Sequence, residues 1–191
     1  SPYAVAKLYS HFITINYRES YNIFACNGIL FNHESPKRGE TFVTKKIVRA
    51  LCRIKKNKQN ILYIGNINSK RDWGHANDYV EAMWKMLQKN KPDDYVIATG
   101  KQYSVKQFID LTSKKLGIKL VWKKKNNLYF AMDKKTKKII IKQDKKYFRA
   151  AEVDDLLGDS SKARKILKWK PKYNLNSLVD EMILVEMKNL S

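Results

Sequence analysis

The nine residues IFACNGILF, at positions 23–31, constrain the fold more than any other stretch of the chain. A nearly unbroken apolar run of this length, followed at once by the polar NHESPKRGE, reads as a strand buried on both faces, and such strands belong to parallel sheets covered by helices. What flanks the run agrees. Upstream, Val5, Leu8, Phe12 and Ile15 recur at spacings of three and four, which predicts an amphipathic helix over residues 2–19. Downstream, a helix over 42–55 carries Val43, Ile47, Leu51 and Ile54 on its apolar side, and ILYIG at 61–65 reads as a strand. The polar turn NINSKRDWGHAND then leads to a helix bearing Val80, Met83, Trp84 and Leu87, and YVIAT at 95–99 reads as another strand. Ser104 and Gln107 have the spacing of a capping box that opens a helix to Leu116, and IKLVW at 118–122 is strand-like.

Residues 123–146 are rich in lysine, with LYFAM and KIIIK flanking the turn-like DKKT, so a small exposed hairpin is expected there. Two helices, near 160–168 and 176–189 and separated by WKPKY, end the chain. Alternating strands and helices predict an α/β protein with parallel strands. Ligands of such sheets bind beyond the carboxyl ends of the strands, which points to the loop 32–40 and the turn 66–75.

Composition narrows the function classes. An apolar fraction of 43%, with 12% aromatic residues, belongs to a folded protein with a real core. No run of 18 apolar residues occurs, so no membrane partner is expected. The opening SPYAVAK lacks the apolar stretch of a secretory signal, and Cys26 and Cys52 sit in apolar settings without a CxxC spacing. Both fit a cytoplasmic protein with buried thiols. His11, His33 and His75 show no metal-ligand spacing, so no metal is expected. The net charge of +21 raises the question of nucleic acid, yet only seven of the 39 basic residues are Arg, the residue best suited to bidentate phosphate contacts. With lysines distributed through every surface segment, the charge reads as a solvated surface and no nucleic-acid partner is expected.

Tyr3 and Lys7 stand four apart at the head of the first helix, on one face and one turn from each other. An ammonium group one helical turn from a phenol favours the phenolate. Together they suit the removal of a hydroxyl proton while a hydride leaves the same carbon, the acid–base half of an alcohol oxidation by a nicotinamide cofactor. The spacing alone arises about twice by chance in a chain with this much Tyr and Lys, so its meaning depends on the surroundings.

Those surroundings are informative. SPYAVAKLY, followed by NYRESYNIFACNGILFNHESPKRGETFVTKKI, then RDWGHANDYVEAMW, DDYVIATG and KYFRAAEVDDLLGDSSKARKILKWKP, resembles the GDP-mannose 4,6-dehydratases of the extended short-chain dehydrogenase/reductase family over essentially the whole chain. The resemblance implies the carboxyl-terminal part of a Rossmann-type parallel sheet plus a smaller α/β substrate-binding subdomain. Residues 1–35 would be the remainder of the NADP-binding Rossmann domain, and 36–191 the substrate-binding region, interleaved with a late Rossmann strand and helix near 61–100. In the family, the tyrosine matching Tyr3 takes the proton from the sugar 4-hydroxyl as NADP accepts the C4 hydride, and the lysine matching Lys7 holds the cofactor ribose. Water is then lost across C5 and C6 and the hydride returns to C6. The resemblance further implies that His33 and Arg38 contact NADP, and that Asn32, Thr44, Lys46, Arg71, Arg149 and Glu152 contact GDP-mannose. It leaves His75, Trp73 and Trp84 as packing residues, and it implies a homo-oligomer, dimer or tetramer.

Two departures from the family stand out. Ala150 occupies a position where the family usually has Pro, so φ is not fixed beside Arg149. No GxGxxG occurs, and the family's catalytic Thr or Ser and its C5-deprotonating glutamate precede the residue matching Tyr3. The chain is therefore expected to be the carboxyl-terminal part of the enzyme, and alone neither to hold NADP well nor to turn over. The alternatives are a related nucleotide-sugar epimerase or reductase, and a non-catalytic basic module that binds nucleic acid.

Overall fold

Parallel pairing does form around the 23–31 run in the computed structural model, which describes residues 1–148 and 153–190, but only part of the run takes part. Strand β1 (Gly28–Leu30) lies parallel to β6 (Tyr95–Ile97). Burial on both faces is not found, because Ile23, Phe24 and Ile29 are all more than two-fifths exposed. The first helix, α1 (Pro2–Tyr21), starts with proline in its first turn and with the Ser1 hydroxyl accepting from the Ala4 amide, and it ends at Asn22 in the left-handed conformation. Its apolar stripe covers no core: no residue of α1 is buried. The helix is tethered near its end, where Arg18 pairs with Asp94 at 2.8 Å and the His11 carbonyl accepts from the Asn27 side chain.

The loop and turn that follow the early strands are more ordered than their polarity suggested. Strand β2 (Asn32–Glu34) runs parallel to β5 (Trp73–His75), and β4 (Lys70–Arg71) pairs antiparallel with β7 (Tyr103–Ser104). Such two- and three-residue strands have no apolar periodicity to announce them.

The larger sheet has the order β3 (Leu62–Ile64), β10 (Ile139–Gln143), β9 (Leu128–Asp133), β8 (Leu120–Lys125). The expected exposed hairpin is thus no appendage. Its β10 strand pairs parallel with β3, and Ala131 and Ile141 are fully buried. Against the inner face of this sheet pack α2 (Val43–Lys55), α4 (Val105–Lys115) and α6 (Leu175–Asn189), with Ile47, Leu51, Phe108, Ile109, Leu178 and Met182 at the centre. The Ser104–Gln107 capping box opens α4 as its spacing predicts. A smaller cluster joins Tyr79 and Met86 of α3 (Ala76–Leu87) to β6, to Ala163 of α5 (Ser161–Ile166) and to Trp169. Among the described residues no helix is long and apolar enough to cross a membrane.

One charged pair sits inside the larger core. Lys45 of α2 donates to Glu186 of α6 at 2.8 Å, and both side chains are more than nine-tenths buried. The Cys52 thiol nearby is pushed up to about 12, first by burial and then by the Glu186 charge. Removing one member of such a pair strands the other charge, whereas replacing both with apolar residues does not. Glu186→Leu is therefore expected to cost roughly 3 kcal/mol or more in urea unfolding, and the double variant Lys45→Met/Glu186→Leu to recover most of that loss. Equal losses in the single and double variants would contradict this reading of the pair.

Candidate functional site

A groove of about 440 Å³ opens where the start of α2, the end of β3, the β4–β5 segment and residues 146–148 converge. Thr41, Phe42, Val43 and Lys46 form one side of it, and Asn66, Ser69, Arg71 and Trp73 another, with Lys146, Tyr147 and Phe148 closing it. Local sequence explains why these segments meet. A Cβ at Gly65 would overlap the Tyr147 carbonyl, so only glycine lets the 147–148 backbone come this close. Phe42 at the N-cap of α2 has no side chain to cap the helix, so the start of α2, which meets the groove at Phe42 and Val43, carries no side-chain cap.

The lining is positive and partly aromatic. Lys46, Arg71 and Lys146 all contribute, and the Lys46 ammonium lies 3.8 Å above the Tyr147 ring, with Lys146 at 5.0 Å from the same ring. Burial, and secondarily the Lys146 charge, holds the Lys46 amine below the usual lysine range. Two buried polar groups on the lining, the Ser69 hydroxyl and the Trp73 indole N–H, have no hydrogen-bond partner among the described residues. Buried donors are rarely left this way in proteins, and they concentrate at places that await a ligand or water. A cationic groove with an open helix start, aromatic walls and spare donors suits a phosphorylated ligand with a planar group.

Arg71 is held from behind, its guanidinium donating to the Lys70 carbonyl at 2.8 Å. The two carboxylates near it in sequence are turned elsewhere. Asp72, fully buried, accepts from the Thr99 amide and hydroxyl (2.9 and 2.6 Å) and the Gly100 amide (2.9 Å). Asp78 accepts from the amides of Lys172 and Tyr173, each at 3.1 Å. Segment 154–156 returns over β4, with the Lys70 amide donating to Asp154 and the Leu156 amide to Lys70.

Of the residues singled out from sequence, Asn32, Lys46 and Arg71 share the groove. Arg38 reaches its rim, its guanidinium 3.6 Å above Phe42 and its Nε 3.2 Å from Glu34. His33 lies alongside on β2, its Nδ1 2.9 Å from the Phe31 carbonyl, so the proton sits on Nδ1 and Nε2 is left as acceptor. Thr44 requires a correction: it is fully buried and its hydroxyl donates to Glu34, so it locks β2 to α2 instead of facing a ligand. Tyr3 and Lys7 do lie one turn apart, with Lys7 Nζ 5.6 Å from the Tyr3 ring, but both are exposed on α1, and no α1 residue lines the groove. Arg149 and Glu152 lie outside the described residues.

His75 is structural, as expected. It is buried, caps α3 by accepting from the Asn77 amide, donates to Glu181 at 2.7 Å and stacks on Tyr173 at 3.9 Å. Trp73 packs against Phe108, but Trp84 is 62% exposed and packs no core here. Asn66 and Ser69 fall within the turn 66–75 that sheet topology points to, though neither is singled out there, and Lys146, Tyr147 and Phe148 were not anticipated. The only hint was that Tyr147 and Phe148 directly precede Arg149 in KYFRAAEV. Among the described residues no three His, Cys, Asp or Glu side chains are grouped as a metal site.

With this geometry in hand, comparison with known proteins is specific. A family model described as GDP-mannose 4,6 dehydratase matches residues 1–182. The GDP-mannose 4,6 dehydratase of Dictyostelium discoideum is 52% identical over 98% of this chain and 53% of its own length, and that of Homo sapiens is 48% identical over 98% and 50%. The chain thus spans about half the length of the curated relatives it matches. Among solved structures, RMD from Pseudomonas aeruginosa complexed with NADPH superposes with a TM-score of 0.82 at 20% identity, over 99% of this chain and 57% of that one. A dTDP-glucose 4,6-dehydratase from Bacillus anthracis in complex with NAD gives 0.78 at 18%, over 99% and 53%. At such identities the solved structures speak for a Rossmann-type fold alone.

Burial holds the Glu34 carboxyl above the usual carboxylate range, against the opposing pull of the Thr44 hydrogen bond and the Arg38 charge. A carboxyl raised on folding stabilises below its unfolded value, near 4.5, and loses that contribution as pH rises through its folded value. Glu34→Gln is therefore expected to gain stability relative to the parent as pH is raised from about 4 to 7 in thermal unfolding. A constant or shrinking difference would contradict the burial cost assigned to Glu34.

Proposed function

This chain belongs to the GDP-mannose 4,6-dehydratase family, and we propose that it forms the nucleotide-sugar half of such an enzyme. The observation that carries the proposal is the groove. Three cations, the open start of α2, aromatic walls and two unpartnered buried donors suit the diphosphate and base of GDP-mannose better than any other feature of the chain. Arg71 and Lys46 take the diphosphate oxygens, with Asn32 beside them, and the family resemblance assigns Arg149 and Glu152 to the same ligand. The reaction we assign to the whole protein is that of a hydro-lyase: oxidation at C4, loss of water across C5 and C6, and reduction at C6, giving GDP-4-keto-6-deoxymannose.

A nicotinamide cofactor, taken as NADP, supplies a reversible hydride acceptor when bound. The exposed Tyr3 and Lys7 side chains, one turn apart, fit a ribose and a reacting hydroxyl, and His33 and Arg38 offer an acceptor and a cation to a phosphorylated ribose. Tyr3 removes the proton of the sugar 4-hydroxyl, and Lys7, one turn along α1, holds the ribose. Because the chain contains no glycine-rich dinucleotide turn, it holds the cofactor weakly and does not turn over alone. The exposed Val5, Leu8 and Phe12 of α1 support a covered position in a larger, homo-oligomeric protein, and the free thiols Cys26 and Cys52 fit a reducing compartment.

Titration calorimetry on the 191-residue chain tests this directly. GDP-mannose is expected to bind saturably and NADP⁺ only weakly, with Arg71→Ala weakening GDP-mannose roughly tenfold or more, the range for a lost bond to a charged group. Unchanged affinity in Arg71→Ala would place the diphosphate elsewhere. In the whole protein, Tyr3→Phe is expected to lower kcat roughly a hundredfold or more with GDP-mannose affinity retained.

A further inference from the structure

The charge that composition spreads over the whole chain is concentrated by the fold. Residues 111–146 hold thirteen lysines against two aspartates, a surplus of eleven out of the net +21. One of these lysines, Lys115, pairs with Asp180, and elsewhere lysine and arginine meet carboxylates: Arg18 with Asp94, Lys45 with Glu186, Lys85 and Lys172 with Glu81, Lys162 with Asp93. Among the described residues no ion pair involves Lys123, Lys125 or Lys142, or the lysines of the 134–138 turn.

Strand register sorts these side chains onto two faces, since directly paired residues point the same way. One row, Trp122–Ala131–Ile141–Leu62, faces the core, with Trp122 half-buried and the other three buried. The next row, Lys123–Phe130–Lys142–Tyr63, crosses all four strands on the opposite face, with Lys123 and Tyr63 exposed and Phe130 and Lys142 half-buried. Lys125 stands on the same face, two residues along β8 from Lys123. Aromatic rings thus alternate with ammonium groups that have no ion-pair partner among the described residues, across a sheet face on which none of the described helices packs. With strands about 4.8 Å apart, Phe130 and Tyr63 are separated by roughly 10 Å.

We propose that this outer sheet face binds single-stranded nucleic acid, with bases stacking on Phe130 and Tyr63 and phosphates meeting Lys123, Lys125 and Lys142. An open sheet bearing aromatics is a known platform for unpaired bases, and stacking does not require arginine. The uncompensated lysines supply the charge complementarity, and the flat, ring-bearing surface favours a strand with planar groups over a simple polyanion. Tyr63, at the β3 end of this row, also borders a cavity of about 540 Å³ that shares Thr41, Lys46 and Tyr147 with the groove, whereas Lys123, Lys125, Phe130 and Lys142 line neither.

The test is fluorescence anisotropy of a labelled single-stranded oligothymidylate with the full 191-residue chain, over a salt series. Lys123→Glu/Lys142→Glu is expected to weaken binding at least tenfold and to flatten the salt dependence by roughly one to two units of slope. The control Lys91→Glu/Lys101→Glu, which changes net charge equally on other surfaces, is expected to change affinity less than threefold. Tyr63→Leu and Phe130→Leu keep the apolar bulk without the ring and are each expected to weaken binding roughly fivefold or more. Three results would overturn the proposal: no binding at low salt, equal losses in both charge variants, or phosphatidylserine vesicles bound as tightly as the oligonucleotide with the Leu variants unaffected. So would unchanged oligonucleotide binding in Lys123→Glu/Lys142→Glu accompanied by self-association, which would make these lysines guards of an exposed sheet edge.

Discussion

A buried carboxylate has to be met by donors, and in this chain the way Asp72 meets its own decides where the site is built. Its oxygens take the Thr99 amide and hydroxyl and the Gly100 amide, which fixes the turn after β6 against the junction of β4 and β5. The Gly158 amide reaches the same carboxylate at 3.5 Å, so the returning 153–158 segment is drawn to that point as well. Space there is tight: a Cβ on Gly158 would overlap Ala98. Arg71 precedes this anchor by one residue, and its position over the groove follows from what Asp72 holds. The wall opposite is set by a second buried carboxyl, Glu34, which ties β2 to α2 through Thr44 and to the loop through Arg38.

Periodic features of the chain were legible and irregular ones were not. The helices over 42–55 and 105–115, the cap at Ser104 and the strands near 61–65 and 95–99 all rest on apolar spacing or on a local capping pattern, and they stand as read. The run 23–31 misled because apolar content alone cannot tell a strand buried on two faces from one left open on its outer side. The 123–146 segment misled in the opposite direction. Its lysines hid the inward alternation of Trp122, Ala131 and Ile141, which carries the segment into the main sheet.

Within the site, sequence reasoning identified residues through motif resemblance and geometry then sorted them. Lys46 and Arg71 open onto one groove, whereas Thr44, two residues from Lys46, is turned inward by half a helical turn and works on Glu34. The sheet pattern reached the turn 66–75 but could not single out Ser69 and Trp73 within it, because what marks them is a missing partner among the described residues, a property of the folded chain alone. The same holds for charge. Composition described an even lysine coat, and only strand register showed that unpaired lysines and rings share one open face.

Family membership, the cationic groove and the chain's span of about half its relatives together make the central claim that this half carries the nucleotide-sugar contacts by itself. Hydrogen–deuterium exchange of the chain with and without GDP-mannose tests it most directly. The account predicts slowed exchange concentrated around residue 32 and in segments 41–46, 64–73 and 145–152, with at most a minor change on α1. Protection centred on α1, or none in the three groove segments, would contradict it.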